Sequence, residues 1–207
     1  MNRAARTAQA RRGPGAALAR ARSRYPSDLD VSTSTADVQA QGHYGDVEVK
    51  TASGDLSVAV VEGSFKGSTA SGDVVVAEIG REGAIKTASG DTRVGRALGP
   101  LVANLVSGDL TIGESRDALT TATVSGDQEI EIGGGGKVKL QSVSGDVRVG
   151  VPPGLRLWID AASVSGTMTS DFETEDAPPR DDAPVIELRA RTVSGDVHIA
   201  RAAVTPA

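Results

Sequence analysis

The chain has 207 residues, a net charge of −5 at pH 7, no cysteine and only 2% aromatic residues. The lack of cysteine excludes a disulfide framework, and no apolar run approaches the roughly 20 residues that a membrane-spanning helix needs. With so few aromatic side chains, a core must be built from Val, Ile, Leu, Ala and Thr. We expect a soluble cytoplasmic protein with no signal peptide or transmembrane segment, with peripheral association with the envelope as the alternative.

The charge is distributed unevenly along the chain. Residues 1–24 contain seven arginines and no acid, so the remaining residues carry −12, which is −5 minus 7. A body this acidic predicts no nucleic-acid partner, because contacts with phosphates need a basic surface. Residues 1–26 are Arg/Ala-rich, do not fit the pattern described below, and are predicted to form a disordered tail. Residues 27–207 are predicted to form one domain.

The tripeptide Ser-Gly-Asp recurs along the chain at a nearly fixed interval. The first five copies are 18 residues apart, and the later intervals are 19, 21 and 29 residues. A short fixed period predicts a stack of structural repeats. The copies are Ser53-Gly54-Asp55, Ser71-Gly72-Asp73, Ser89-Gly90-Asp91, Ser107-Gly108-Asp109, Ser125-Gly126-Asp127, Ser144-Gly145-Asp146 and Ser194-Gly195-Asp196, with the variant Ser165-Gly166-Thr167.

Apolar and polar residues alternate on both sides of each tripeptide. Around the first copy, Val47 and Val49 precede the tripeptide and Leu56 and Val58 follow it, with polar residues between the members of each pair. This alternation is typical of half-buried strands. Gly accepts unusual backbone angles, and Ser and Asp side chains stabilise bends. We therefore predict an all-β, single-stranded β-solenoid (β-helix) of about eight coils of 18–21 residues, with Ser-Gly-Asp corners and coils stacked in chain order.

One segment departs from the repeat and holds the candidate interaction patch. Residues 171–184 contain six acids and three prolines, a composition that predicts a loop leaving the rod. The only tryptophan of the chain precedes this loop and is either a partner-binding anchor or a plug that packs its coil. The predicted patch comprises Trp158, Asp171, Glu173, Glu175, Asp176, Asp181 and Asp182.

The aspartates of the corners would form a ladder of like charges about 5 Å apart. Solvent, backbone N–H groups or a cation must relieve their repulsion. Calcium is disfavoured because it needs six to eight oxygen ligands, and one carboxylate per coil does not readily supply them. The sequence shows no Cys nucleophile and no phosphate-binding motif, and its two histidines lie in different coils. We expect no catalytic residues, no metal and no cofactor.

The repeat resembles the DUF4097 β-strand-repeat family, a bacterial family associated with adhesins. The resemblance rests on Ser/Thr-Val-Ser-Gly-Asp-Val followed by a polar–apolar pair, and on Val151-Pro152-Pro153-Gly154 through Ser165-Gly166-Thr167. It covers roughly residues 28–201. It implies a β-solenoid without established catalytic residues, so no site residue is carried over.

These observations predict a non-enzymatic, adhesin-like interaction or scaffold module whose partner is an unknown protein or envelope component. Two alternatives remain. The first is a homo-oligomeric rod that assembles by end-to-end stacking through an open C-terminal coil. The second is a β-helix enzyme acting on a polysaccharide, with carboxylates from the acidic loop.

Overall fold

The computed structural model describes residues 17–134, 136–153, 156–172 and 185–202. These residues form seventeen strands and no helix, so the described part of the chain has no helix that could cross a membrane. The strands are β1 (Ala17–Thr33), β2 (Ala36–Ser53), β3 (Leu56–Val61), β4 (Phe65–Ser71), β5 (Val74–Ile79), β6 (Gly83–Ser89), β7 (Thr92–Ala97), β8 (Leu101–Ser107), β9 (Leu110–Ser115), β10 (Leu119–Ser125), β11 (Gln128–Ile132), β12 (Gly136–Ser144), β13 (Val147–Val151), β14 (Arg156–Ser165), β15 (Met168–Ser170), β16 (Val185–Ser194) and β17 (Val197–Arg201).

Every strand pairs in parallel with the equivalent strand of the next coil. The register follows the repeat, so that Val47 lies opposite Phe65 and Ser53 opposite Ser71. Strands that precede a corner form the first column, which includes β4, β6, β8, β10 and β12. Strands that follow a corner form the second column, which includes β3, β5, β7, β9, β11 and β13. The predicted all-β solenoid is confirmed.

The core lies between the two columns and is mainly aliphatic, with Tyr44 and Phe65 as its buried aromatic residues. The inward residues predicted from the alternation are buried, including Leu56 and Val58 of β3 and Leu110 and Ile112 of β9. The same cluster continues without a break from Leu29 to Ile199. Because each coil buries its apolar side chains only against its neighbours, the stability of the rod depends on continuous stacking.

The first strand begins earlier than the sequence suggested. β1 starts at Ala17, inside the segment predicted to be a disordered tail, and its backbone pairs with β2 from Ala17 opposite Ala36 to Ser23 opposite Gly42. The physical reason is that β2 offers an open sheet edge, which a preceding stretch of chain satisfies by backbone hydrogen bonding. Residues 1–16 lie outside the described residues.

The coils do not stack in chain order at the C-terminal end, and this corrects the expectation of an open final coil. β16 pairs with β12 on one edge and with β14 on the other. β17 likewise lies between β13 and β15. The last coil in the sequence is therefore inserted into the stack, and the coil formed by β14 and β15 is the end of the rod within the part of the chain that the structure describes.

Candidate functional site

Each Ser-Gly-Asp corner requires glycine for two reasons. Gly108 has a φ of +121°, which L side chains rarely adopt. A Cβ at this position would also overlap the backbone carbonyl oxygen of Gly90 in the neighbouring coil. The corners therefore stack backbone on backbone, and Gly90 donates its N–H to the carbonyl of Ser107 at 3.1 Å.

The corner aspartates form a continuous hydrogen-bonded ladder. Asp73 donates its backbone N–H to Oδ1 of Asp55 at 3.0 Å, and Asp91 donates to Asp73 at 2.9 Å. The pattern continues from coil to coil as far as Asp146, which accepts from Asp196 at 2.9 Å. Backbone N–H groups thus relieve the repulsion that the sequence predicted between the carboxylates.

The ladder ends at the variant tripeptide. Thr167 donates its N–H to Oδ1 of Asp196 at 2.7 Å but has no carboxylate of its own. Thr167 lies in the terminal coil. No described coil beyond it offers a backbone N–H group that would need a carboxylate acceptor at this position. The replacement of Asp by Thr therefore coincides with the end of the stack of described coils, although it occurs before the last repeat in the sequence.

A second, shorter ladder was missed by the sequence reasoning. Asp46 donates its N–H to Oδ1 of Asp28 at 3.0 Å, and Ser64 donates to Oδ1 of Asp46 at 2.8 Å. These residues form the opposite corner of the first coils. The signal was present, because Asp28, Asp46 and Ser64 are spaced by the same 18 residues as the main repeat.

The ladder carboxylates act as hydrogen-bond acceptors for the backbone of the neighbouring coil. The described residues contain no group of three or more His, Asp or Glu side chains that could hold a metal ion. One oxygen of each ladder carboxylate is already committed to a backbone donor, as in Asp109, which accepts from Asp127 at 2.9 Å. A calcium ion needs several more oxygens than the remaining ones at each corner provide.

Calcium is therefore expected to leave the stability of the protein unchanged. A ligand that binds only the folded state raises its melting temperature, and its removal lowers it. Thermal unfolding followed by circular dichroism, with excess calcium or with a chelator, should give the same Tm in both solutions. A Tm that rises with calcium concentration would contradict the structural assignment of the ladder.

A long groove runs along the outer surface of the first column of strands. It has a volume of about 1200 Å³ and spans coils from Ser32 to Val193. On one side lies an apolar stripe, formed by the exposed residue that precedes each corner serine. In spatial order this stripe comprises Ala52, Ala70, Ala88, Val106, Val124, Val143, Val193 and Val164.

The groove is basic within an acidic protein. Among the described residues, its lining includes Lys50, Lys86 and Arg191 and no acidic residue. Lys50 contacts Glu48 at 2.6 Å, which lowers the pKa of that carboxyl group and raises the pKa of the lysine. Lys86 has no ion-pair partner among the described residues, and Arg191 reaches Asp160 at 3.7 Å. Lys86 is thus the cation of the lining that is left to attract negative charge, and it lies near the middle of the groove.

The structure places only part of the predicted interaction patch. Trp158 is 48% exposed on the outer surface of β14, and the guanidinium of Arg189 lies 5.4 Å from its ring centroid. Asp171 is exposed directly after β15. Glu173, Glu175, Asp176, Asp181 and Asp182 lie outside the described residues. Trp158 does not plug the interior of its coil, because its side chain points away from the core.

The two histidines lie apart on the surface. His43 Nδ1 is 3.5 Å from a carboxylate oxygen of Glu62, and His198 Nδ1 is 2.7 Å from the hydroxyl oxygen of Thr169. The described residues do not bring a carboxylate, the imidazole and a hydroxyl together in a buried site of the kind that nucleophilic catalysis uses.

The core contains polar residues that the sequence reasoning did not identify. Gln128 is fully buried, and its side-chain amide donates to Thr123 Oγ1 and to the backbone carbonyl of Gln141, both at 2.8 Å. Its side-chain carbonyl accepts from the hydroxyl of Thr121. The signal was the polar residue in a column that holds mainly Leu and Val, with Thr92 as its other buried polar member. These side chains hydrogen-bond to one another and contribute to stability rather than to a binding site.

The stacked coils, corner ladders and continuous, mainly aliphatic interior define a single-stranded, parallel β-solenoid. The family model described as Toastrack DUF4097 matches residues 22–153. This is more than half of the chain, so the protein belongs to the Toastrack DUF4097 family. No curated protein and no solved structure matches the chain.

Proposed function

We propose that this protein is a non-enzymatic interaction module whose groove binds an extended, acidic segment of a partner protein. The observation that supports the proposal is the combination of a continuous apolar stripe with a lining in which the described residues include three cations and no acid. The stripe attracts apolar side chains, while the cations select for negative charge and discriminate against basic partners.

The dimensions of the groove suit an extended polypeptide. Eight stripe positions at the spacing of neighbouring strands extend over about 34 Å, which an extended segment of about ten residues covers. The rod holds the stripe residues on paired strands, so little conformational freedom is lost by the protein on binding.

A protein segment fits this surface better than a nucleic acid does. Single-stranded nucleic acids bind to grooves in which aromatic side chains stack on the bases. The described residues that line the groove include no aromatic residue. An alternation of acidic and apolar side chains, in contrast, would match both the cations and the stripe.

A peptide-binding measurement tests the proposal. The probe is a fluorescein-labelled peptide of about 12 residues in which Glu alternates with Val and Ser, a length that spans the groove when extended. Lys86→Glu should weaken binding about tenfold or more, because it replaces attraction by repulsion in the middle of the groove. Val124→Asp should do the same by placing a charge on the stripe.

The matched control is Arg93→Glu, which makes the same charge change on the outer surface of the second column. This variant should bind the peptide as the wild type does. Fluorescence anisotropy provides the dissociation constants. Equal binding of a peptide in which Lys replaces Glu, tighter binding of a single-stranded oligonucleotide, or no effect of Lys86→Glu would each overturn the proposal.

A further inference from the structure

We infer that the end of the rod formed by β14 and β15 is the interface of a closed, two-fold dimer of this chain. β14 pairs with β16 along one edge, and no described strand pairs with its other edge. Such an edge offers unpaired backbone N–H and C=O groups to a further strand. Its side chains are also left uncovered, with Trp158 48% exposed, Met168 47% and Val164 82%.

The two ends of the rod differ in a way that favours a closed dimer over a filament. At the β14 end, the inward-facing residues Leu157, Ile159 and Ala161 are only partly buried. At the opposite end, the inward-facing Leu29 and Val31 of β1 are 4% and 2% exposed. Head-to-tail growth needs two complementary open surfaces, whereas a two-fold contact uses one surface twice.

The sequence of β14 is complementary to itself about Ala161. Trp158 and Val164 lie on its outer surface, three residues before and three residues after Ala161. If two copies of β14 pair antiparallel with Ala161 opposite Ala161, Trp158 lies beside Val164 of the partner subunit. Aromatic residues beside β-branched residues are favourable cross-strand pairs. A two-fold interface requires a surface that is complementary to itself. The exposed apolar side chains of Trp158 and Val164 give β14 this property.

The same pairing keeps the remaining side chains compatible. Inward residues meet inward residues, because Ile159 lies opposite Ser163 of the partner subunit. Asp160 lies opposite Ala162 of the partner subunit, so like charges do not face each other across the joint. Within its own chain, Asp160 is already near Arg189 and Arg191, at 3.9 and 3.7 Å.

The corner ladder argues against continuing the rod in parallel at this end. In every internal coil, a corner carboxylate accepts the N–H of the next coil, as Asp196 accepts that of Thr167. A further parallel coil would place its N–H beside Thr167, which has no carboxylate. An antiparallel copy about Ala161 does not place a corner there.

The oligomeric state of the full chain tests this inference. Sedimentation velocity over a range of concentrations should show a species of twice the chain mass of 21.1 kDa. Val164→Asp should shift the protein to the monomer, with a circular dichroism spectrum like that of the wild type, because Val164 is outside the core. Val106→Asp is the matched control, since Val106 is 54% exposed at the equivalent position of a coil in the middle of the rod. This control should remain dimeric.

Two further measurements report on how the two copies of β14 pair in the dimer. Trp158 is the only tryptophan, so its emission should shift to shorter wavelength on dimerisation and remain unshifted in Val164→Asp. The chain has no cysteine, so Ala161→Cys introduces a single thiol. Opposed residues of antiparallel strands have Cα atoms about 4.5–5.5 Å apart, within the range of a disulfide. Oxidation should cross-link Ala161→Cys and leave the exposed Ser165→Cys largely uncross-linked.

A chain that remains monomeric at all concentrations, or that grows beyond two chains, would overturn the inference. So would a dimer that Val164→Asp leaves intact or that Val106→Asp dissociates. Val164 also belongs to the apolar stripe of the groove, but the oligomeric state is measured without the peptide. Lys86→Glu, which changes the groove without touching β14, should remain dimeric, so failure of the dimer and failure of peptide binding are distinguishable.

Discussion

Replacing Gly108 by alanine is expected to destabilise the protein by about 3–5 kcal/mol. Its φ of +121° is one cost, because an L side chain rarely adopts this angle. The overlap of the new Cβ with the carbonyl oxygen of Gly90 is another, since a backbone atom cannot move aside as a flexible side chain can. Both costs fall in the middle of the stack, where a displaced corner disturbs the coils on either side.

Urea unfolding followed by circular dichroism measures this change, and Gly150→Ala provides the control. Gly150 lies in β13, a strand of the second column, and unlike Gly108 at its corner it does not have a positive φ. The nearest atom to its added Cβ is the side-chain carbon of Ala202 at 3.5 Å, an ordinary contact. Gly150→Ala should therefore unfold near the wild-type midpoint. If both variants unfold together, backbone stacking at the corner does not limit the stability of the rod.

The repeated corner made most of the fold predictable. An 18-residue period aligns residues such as Val47 and Phe65 without knowledge of the structure, and alternation then separates inward from outward side chains. The glycine and aspartate of the tripeptide have local physical roles, so the corner could also be predicted. The groove was harder to predict, because its charge depends on side chains that come together only when the coils are stacked.

The order of the last two coils could not be predicted from periodicity alone. The period specifies which residues share a column but not which coil lies next to which. The relevant signal was Thr167, which breaks the row of corner aspartates at a position where stacking in chain order would interrupt the ladder. The boundary of the tail was missed for a related reason. Ala17 pairs with Ala36 through backbone groups. Such pairing leaves only a weak trace in the pattern of side chains along the sequence.

Gln128→Glu is expected to destabilise the protein by about 3–5 kcal/mol at pH 7, because it places an unpaired carboxylate in the core. The amide of Gln128 donates to Thr123 Oγ1 and to the carbonyl of Gln141, and a carboxylate oxygen cannot donate to either acceptor. Burial favours the neutral acid and should raise the pKa of the new side chain above the ordinary value of about 4.3.

The pH dependence distinguishes this mechanism from a simple loss of packing. A folded-state pKa that is higher than the unfolded-state pKa makes the variant most stable, relative to the wild type, below about pH 4. The deficit in the free energy of unfolding should grow as the pH rises and the unfolded chain alone loses its proton. Gln141→Glu makes the same chemical change at an exposed position, and its stability should stay close to that of the wild type throughout. A deficit for Gln128→Glu that does not vary with pH would show that the carboxylate is hydrated and that the core around Thr121 and Thr123 opens to water.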